Sequence, residues 1–169
     1  VDAMKKNLKI KTGDIIITTG YYSAGDGGSA IYLVKSFSGK YHEELNNGLV
    51  AELVTMDNVR QFGAKGDGIT NDTEAIQNAI NAVPNGKMYF PTGTYLCSNI
   101  YAENVALVGN GIVIDEEPYS KGSVLLSTDM INPLINASIG LTIDGLSFYY
   151  PYQTGTTENP IPYPPTIKA

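Results

Sequence analysis

The sequence predicts a mainly β chain: short strands stacked as coils, one amphipathic helix at their head, and a small β-rich module in front. Short apolar runs alternate with Gly, Asn and Asp from Val105 onward. NVALVGNGIVI (104–114) and GLTIDGLSFYY (140–150) share an apolar-Gly-apolar outline without a strict period, as solenoid coils do. A single helical periodicity, Ala75, Ile76, Ala79, Ile80 and Val83, precedes them.

Composition narrows the function. The chain has 169 residues, 18 glycines and 12 tyrosines, with no Trp. High Gly with Tyr suits short strands and many turns. The formal net charge of −6 opposes general nucleic-acid binding, which needs a basic surface to displace counterions, and opposes adhesion to anionic membranes. No run reaches transmembrane length and no signal-peptide core is present, so no membrane insertion is expected. The single cysteine, Cys97, permits no intrachain disulfide or zinc cluster and reads as a buried small side chain.

In chain order, Val1–Asn7 is a helical turn or a strand tail, and Lys5, Lys6, Lys9 and Lys11 read as a solvated face. Asp14–Thr19 and Ala30–Phe37 are β-branched or apolar runs that form a hairpin across Gly20–Ser29. That glycine-rich loop lacks the Lys-Ser/Thr ending of a phosphate loop, and a strand follows it. Asn46-Asn47-Gly48 is a turn, and Leu49–Met56 a third strand. Residues 1–57 thus form a small β-rich module. In the opening segment, 58–98, GAKGDG (63–68) is tight backbone. Asp72 is placed to cap the helix by accepting amide hydrogens of its first turn, and Pro84 and Gly86 stop it. Met88–Phe90 and Thr94–Cys97 are strands around the Pro91–Gly93 turn. Residues 99–169 hold the first coils and a proline-rich segment, with five of the nine prolines after 150. Two or three coils fall short of the roughly three or more that a repeat stack needs. The chain is therefore expected to be a fragment of a longer protein.

The residues Phe62-Gly63-Ala64, Gly66-Asp67-Gly68, Asn71-Asp72-Thr73 with Ala75-Ile76-Gln77, and Phe90-Pro91-Thr92-Gly93-Thr94-Tyr95 resemble the opening of the pectate-lyase-like family. TGYYSAGDGGSAIYLV (19–34) resembles a module of phage tailspike and tail appendage proteins. The resemblance implies a right-handed single-stranded parallel β-helix whose helix caps the first coil. It implies a virion tail protein, a homotrimer working with other tail proteins, that attaches to host cell-surface polysaccharide and acts extracellularly. Glycan binding or depolymerisation would lie on coils outside this chain. The alternatives are a free, secreted polysaccharide lyase or glycoside hydrolase of the same fold, and a non-enzymatic structural adaptor of the tail.

Glycan cleavage needs paired carboxylates, or a base plus a group that neutralises a uronate. The stacked region offers Asp115, Glu116, Glu117, Asp129 and Asp144, with Arg60 the one arginine and His42 the one histidine. The acidic patch 115–117 reads first as a solvated loop and second as an acid/base or calcium site. Asp144-Gly145 reads as a turn, and Asp67 and Asp72 as turn and cap rather than calcium ligands. His42 beside Glu43 and Glu44 has no nucleophile motif near it. Tyr with Pro in YYPYQ and PIPYPP packs on the stack, or stacks on sugar rings. The catalytic residues stay unassigned, and neither cofactor nor metal is expected.

Overall fold

The computed structural model describes residues 1–113, 121–153, 159 and 161–169. A four-residue helix, α1 (Asp2–Lys5), leads into β1 (Ile15–Thr18), β2 (Ala30–Lys35), β3 (His42–Glu44) and β4 (Val50–Leu53). These strands make an antiparallel sheet in the order β1-β2-β4-β3. The expected β1–β2 hairpin is present, with Ile15 opposite Leu33 and Thr18 opposite Ala30. The sequence reading did not include β3, because His-Glu-Glu is a poor strand former. It forms because Glu43 turns inward to partners that its neighbours His42 and Glu44 do not share.

A 3-10 turn, Val59–Phe62, follows, then β5 (Asp67–Asn71) and α2 (Thr73–Ala82). The rest is strand: β6 (Lys87–Phe90), β7 (Gly93–Leu96), β8 (Ile100–Ala102), β9 (Val105–Gly109), β10 (Ile112–Val113), β11 (Lys121–Leu126), β12 (Ile135–Ala137), β13 (Leu141–Asp144), β14 (Leu146–Tyr149) and β15 (Ile167–Lys168). Three sets pair in parallel: β6-β9-β13, β7-β11-β14 and β8-β12-β15. The chain visits the sets in turn, so each visit adds one layer to each set. Among the described residues after α2, β10 alone runs antiparallel, as a side strand on β11. The molecule is mainly β with parallel sheets, as expected.

The register explains why apolar residues recur without a strict period. Met88, Leu107 and Ile143 stand in one ladder, Tyr95, Leu125 and Phe148 in a second, and Ile100, Ile135 and Ile167 in a third. Loops of different length separate the rungs, so spacing varies while the register holds. Each fully buried rung contributes about 1.5–3 kcal/mol of apolar burial. Burial fades along the stack: Ile100 and Ile135 are buried, while Ile167 is 40% exposed.

At the opposite end, each of the three sets is closed by a different device. Open strand edges expose unpaired amides and carbonyls and invite aggregation. Strand β5 lies parallel on β7, with Asp67 opposite Thr94 and Asn71 opposite Leu96. An isolated bridge from Asn58 covers Tyr89 of β6. Gln77 of α2 covers β8 with its carboxamide: its Nε2 donates to the Tyr101 carbonyl at 2.9 Å, and its Oε1 accepts from the Tyr101 amide at 2.8 Å. One side chain thus imitates a strand. The buried face of α2 is Ile76, Ala79 and Ile80, as its periodicity requires. These residues join one apolar core that also takes in Val59 and Phe62 and the antiparallel sheet's Tyr32, Val34 and Ala51.

One capping expectation needs correction. Asp72 occupies the N-cap position of α2, but its side chain makes no bond to the helix. Its carboxylate reaches back and accepts from the Lys65 amide at 2.8 Å and the Gly66 amide at 2.9 Å. The glycine loop folds tightly enough to aim these amides inward, and a buried carboxylate satisfies them better than solvent-side helix amides would satisfy it. Burial still raises the Asp72 pKa above the ordinary value, with the two amides pulling against it. Gly66 is required there: φ is +64°, and a Cβ would sit 2.8 Å from the Tyr95 ring.

Candidate functional site

The clefts with most chemistry lie where the antiparallel sheet meets the opening segment. The Gly20–Ser29 loop supplies one wall. Asp26 organises it, accepting from the backbone amides of Tyr21, Tyr22, Ser23 and Gly28 at 2.8–3.1 Å. Partial burial alone would raise the Asp26 pKa, but the Ser23, Gly28, Tyr22 and Tyr21 amides together hold it below the ordinary value. The loop's amides therefore turn on its own carboxylate, consistent with a turn and not a phosphate loop.

This loop presents Tyr21 and Tyr22, packed edge-on at 4.9 Å between ring centroids. Tyr22 is 59% exposed, and its hydroxyl donates to the Gly63 carbonyl at 2.8 Å. On one side lies a cleft of about 330 Å³, lined among others by Arg60, Lys65, Asp26 and Asp67, with the Lys65 ammonium 5.0 Å from the Tyr22 ring centre. On the other lies a cleft of about 310 Å³ lined by Tyr21, Tyr22, Tyr41, Glu43, Phe62 and Glu74, among others. Glu43 is buried and accepts from the Tyr21 hydroxyl at 3.0 Å and the Tyr41 hydroxyl at 3.3 Å, while Lys5 pairs with its other oxygen. Burial and the Glu43 charge push the Tyr21 and Tyr41 pKa values far up, so both phenols stay protonated donors.

The carboxylates singled out from sequence do not converge. Residues 115–117 lie outside the described residues. Asp129 closes its own turn, accepting from the Ile131 and Asn132 amides and from Asn132 Nδ2. Asp144 is exposed at the end of β13, before a turn in which Gly145 has φ +63°. His42 is held between the Lys40 carbonyl at 2.6 Å and Glu44 at 3.1 Å, and these contacts raise its pKa. Among the described residues no three His, Cys, Asp or Glu side chains gather as a metal site. Cys97 is buried, and burial pushes its thiol pKa well up, consistent with an inert core residue. Tyr150 and Tyr163 pack on each other at 5.0 Å, and Tyr150 donates to Thr166 Oγ1 at 2.9 Å, which favours the packing reading. Tyr152 is 55% exposed. Sequence reasoning missed the clefts because their walls come from a loop, β3 and α2, and no local pattern links these.

Asp67 accepts from the Thr70 and Ile69 amides and from the Thr70 hydroxyl, which lowers its pKa to about 2. Its folded value lies below the unfolded one. The stability it adds is present above the unfolded value of 3.8 and is lost as pH falls toward about 2. Asp67→Asn keeps one acceptor oxygen but removes the charge. Urea midpoints measured from pH 6 to pH 2 are expected to fall less steeply for the variant than for the parent, by less than about 1 kcal/mol at this exposed site. Parallel curves would show that Asp67 does not carry the acid sensitivity.

The fold is thus a set of parallel sheets, covered at one end by a helix, behind a small antiparallel sheet. The family described as rhamnogalacturonase A/epimerase, pectate lyase-like, matches residues 56–150. The chain belongs to this pectate-lyase-like family. It is 45% identical over 67 residues to alginate lyase 7 of Azotobacter vinelandii, which covers 32% of this chain and 8% of that protein. It is 39% identical over 51 residues to the capsule K30/K69-specific depolymerase 1 of Klebsiella phage K5-2, covering 30% of this chain and 6% of that one. Among solved structures, the tailspike gp49 of Acinetobacter baumannii bacteriophage Fri1, a capsular polysaccharide depolymerase, superposes with a TM-score of 0.65 at 16% identity. That match covers 87% of this chain and 31% of the tailspike, and at this identity it speaks for the fold.

Proposed function

We propose that the chain is the N-terminal part of a phage tailspike or tail appendage protein, located in the virion tail and acting on host cell-surface polysaccharide outside the cell. The observation that carries this is the pairing of modules. The antiparallel sheet and the helix-closed stack occur together, and the superposition on the Fri1 tailspike spans 87% of the chain. The short match to a Klebsiella phage depolymerase points the same way. In this reading, residues 1–57 are the β-rich module, 58–98 the opening segment and 99–169 the first coils. The three parallel sets close into a right-handed single-stranded β-helix. Three copies assemble as a homotrimer with the other tail proteins. Depolymerisation belongs to coils outside this chain, because the described carboxylates of the stack close local turns or stand apart.

A second reading, a free polysaccharide lyase or hydrolase, is favoured by the alginate lyase match. Incubating the longer protein with capsular polysaccharides separates the readings. New reducing ends together with adsorption to encapsulated cells support a tailspike depolymerase. Unsaturated uronates released by a soluble monomer, seen by light scattering, support the free lyase. Adsorption without cleavage leaves a structural attachment protein.

A further inference from the structure

The cleft between Tyr22 and α2 has a character that neither the family nor the proposed function assigns. Its floor is aromatic, from Tyr21, Tyr22, Tyr41 and Phe62. Its charged lining is wholly acidic among the described residues, from Glu43 and Glu74. The carboxylate of Glu74 and the carboxamide of Asn78 have no hydrogen-bond partner among the described residues. They stand four residues apart on α2, so both face the same side of the helix. Thr70 and Asn71 add further polar atoms at the rim. A volume of about 310 Å³ suits one or two sugar units.

The deeper wall already shows which charge the cleft accepts. Lys5 brings its ammonium onto Glu43 beside two tyrosine hydroxyls. An ammonium group is favoured by the unpaired Glu74 carboxylate and by the electron-rich faces of Tyr and Phe together, whereas a uronate entering here would be repelled by Glu74, the carboxylate that Lys5 does not neutralise.

We propose that this cleft is a saccharide subsite selective for an amine-bearing sugar, with Glu74 pairing the protonated amine, Asn78 taking a hydroxyl, and the tyrosines stacking the ring. The saccharide class rests on the host-polysaccharide reading above, and the preference for an amine rests on the cleft itself. The subsite lies within this chain, at the joint of the two sheets' frameworks, and is separate from the coils to which depolymerisation is assigned.

The test titrates the 169-residue chain with glucosamine oligomers, N-acetylglucosamine oligomers and oligogalacturonate, at a pH where the free amine is protonated. Binding is followed by calorimetry and by tyrosine and Glu74 resonances. Glucosamine oligomers are expected to bind, to shift the Tyr21, Tyr22 and Tyr41 signals and to weaken with added salt, while the other two leave those signals in place. Glu74→Gln is expected to weaken glucosamine binding about three- to fivefold, the range of one partly exposed ion pair. Asn78→Ala, on the same exposed side of α2, gives a second variant that keeps the charge and is expected to weaken all binding at the cleft. Equal binding of the acetylated and free-amine oligomers, an unchanged affinity in Glu74→Gln, or unmoved tyrosine signals would each overturn the proposal. None of these results bears on adsorption or cleavage by the longer protein, so the two readings fail separately.

Discussion

Replacing Ile76 and Ile80 together with Asp is expected to abolish cooperative unfolding and to drive the chain into aggregates. Both side chains are buried, Ile76 at 1% and Ile80 at 5% exposure. Truncating such a residue costs about 2–5 kcal/mol, and placing an unpaired carboxylate in its position adds a desolvation cost of several more. Two such changes exceed the total stability of about 5–15 kcal/mol available to a domain of this size. The damage also spreads. When α2 leaves, Gln77 leaves Tyr101, and β8 loses the carboxamide that covers its edge. An uncovered edge of apolar strands is an aggregation template. The conservative pair Ile76→Val and Ile80→Val is expected to remain folded, losing about 0.5–1.5 kcal/mol at each site. Thermal melting, circular dichroism and size-exclusion chromatography decide the matter. A soluble Asp double variant melting like the parent would show that α2 does not close the stack.

The stack was legible in sequence wherever burial is periodic. Met88, Leu107, Val124 and Ile143 sit in runs that could only be strands, and α2 was set by its apolar face. What escaped was held by partners distant in the chain. Asp67–Asn71 is composed like a loop and becomes β5 because its backbone covers the edge of β7. Gln77 lies off the buried face of α2, a position that says nothing of its role at the edge of β8. Asp72 has the composition of a cap, yet the amides that claim it come from the preceding glycine loop. The same limit hid the candidate cleft. Tyr21 and Tyr22, Glu43 and Glu74 lie about 20 to 50 residues apart, and only the packing of the antiparallel sheet against the stack brings them together.

Arg60→Ala is expected to loosen that packing. Arg60 is the chain's one arginine. It leaves the 3-10 turn, donates through one terminal nitrogen to the Asp26 carbonyl at 2.8 Å and through the other to the Thr92 carbonyl at 2.7 Å. The first contact ties down the tyrosine loop, and the second ties down the bend between β6 and β7. Gly27 leaves room for this course, because a Cβ there would stand 3.2 Å from the arginine stem. Its neighbour Gln61 adds a bond from Nε2 to the Ser29 carbonyl at 3.0 Å. Hydrogen bonds to a charged donor are worth about 1.5–3 kcal/mol each, so the loss is expected near 3 kcal/mol. The signature is local as well as global: the Tyr21, Tyr22 and Ser23 amides should exchange faster with deuterium, while β9 and β11 keep most of their protection. Arg60→Lys should recover less than half of the loss, since one ammonium on a shorter stem cannot span both carbonyls in the planar fork that guanidinium provides. If Arg60→Ala keeps the parental urea midpoint and the parental exchange at residues 21–23, the joint is held by the shared apolar core alone, through Val59 and Phe62, and the arginine only lies across it.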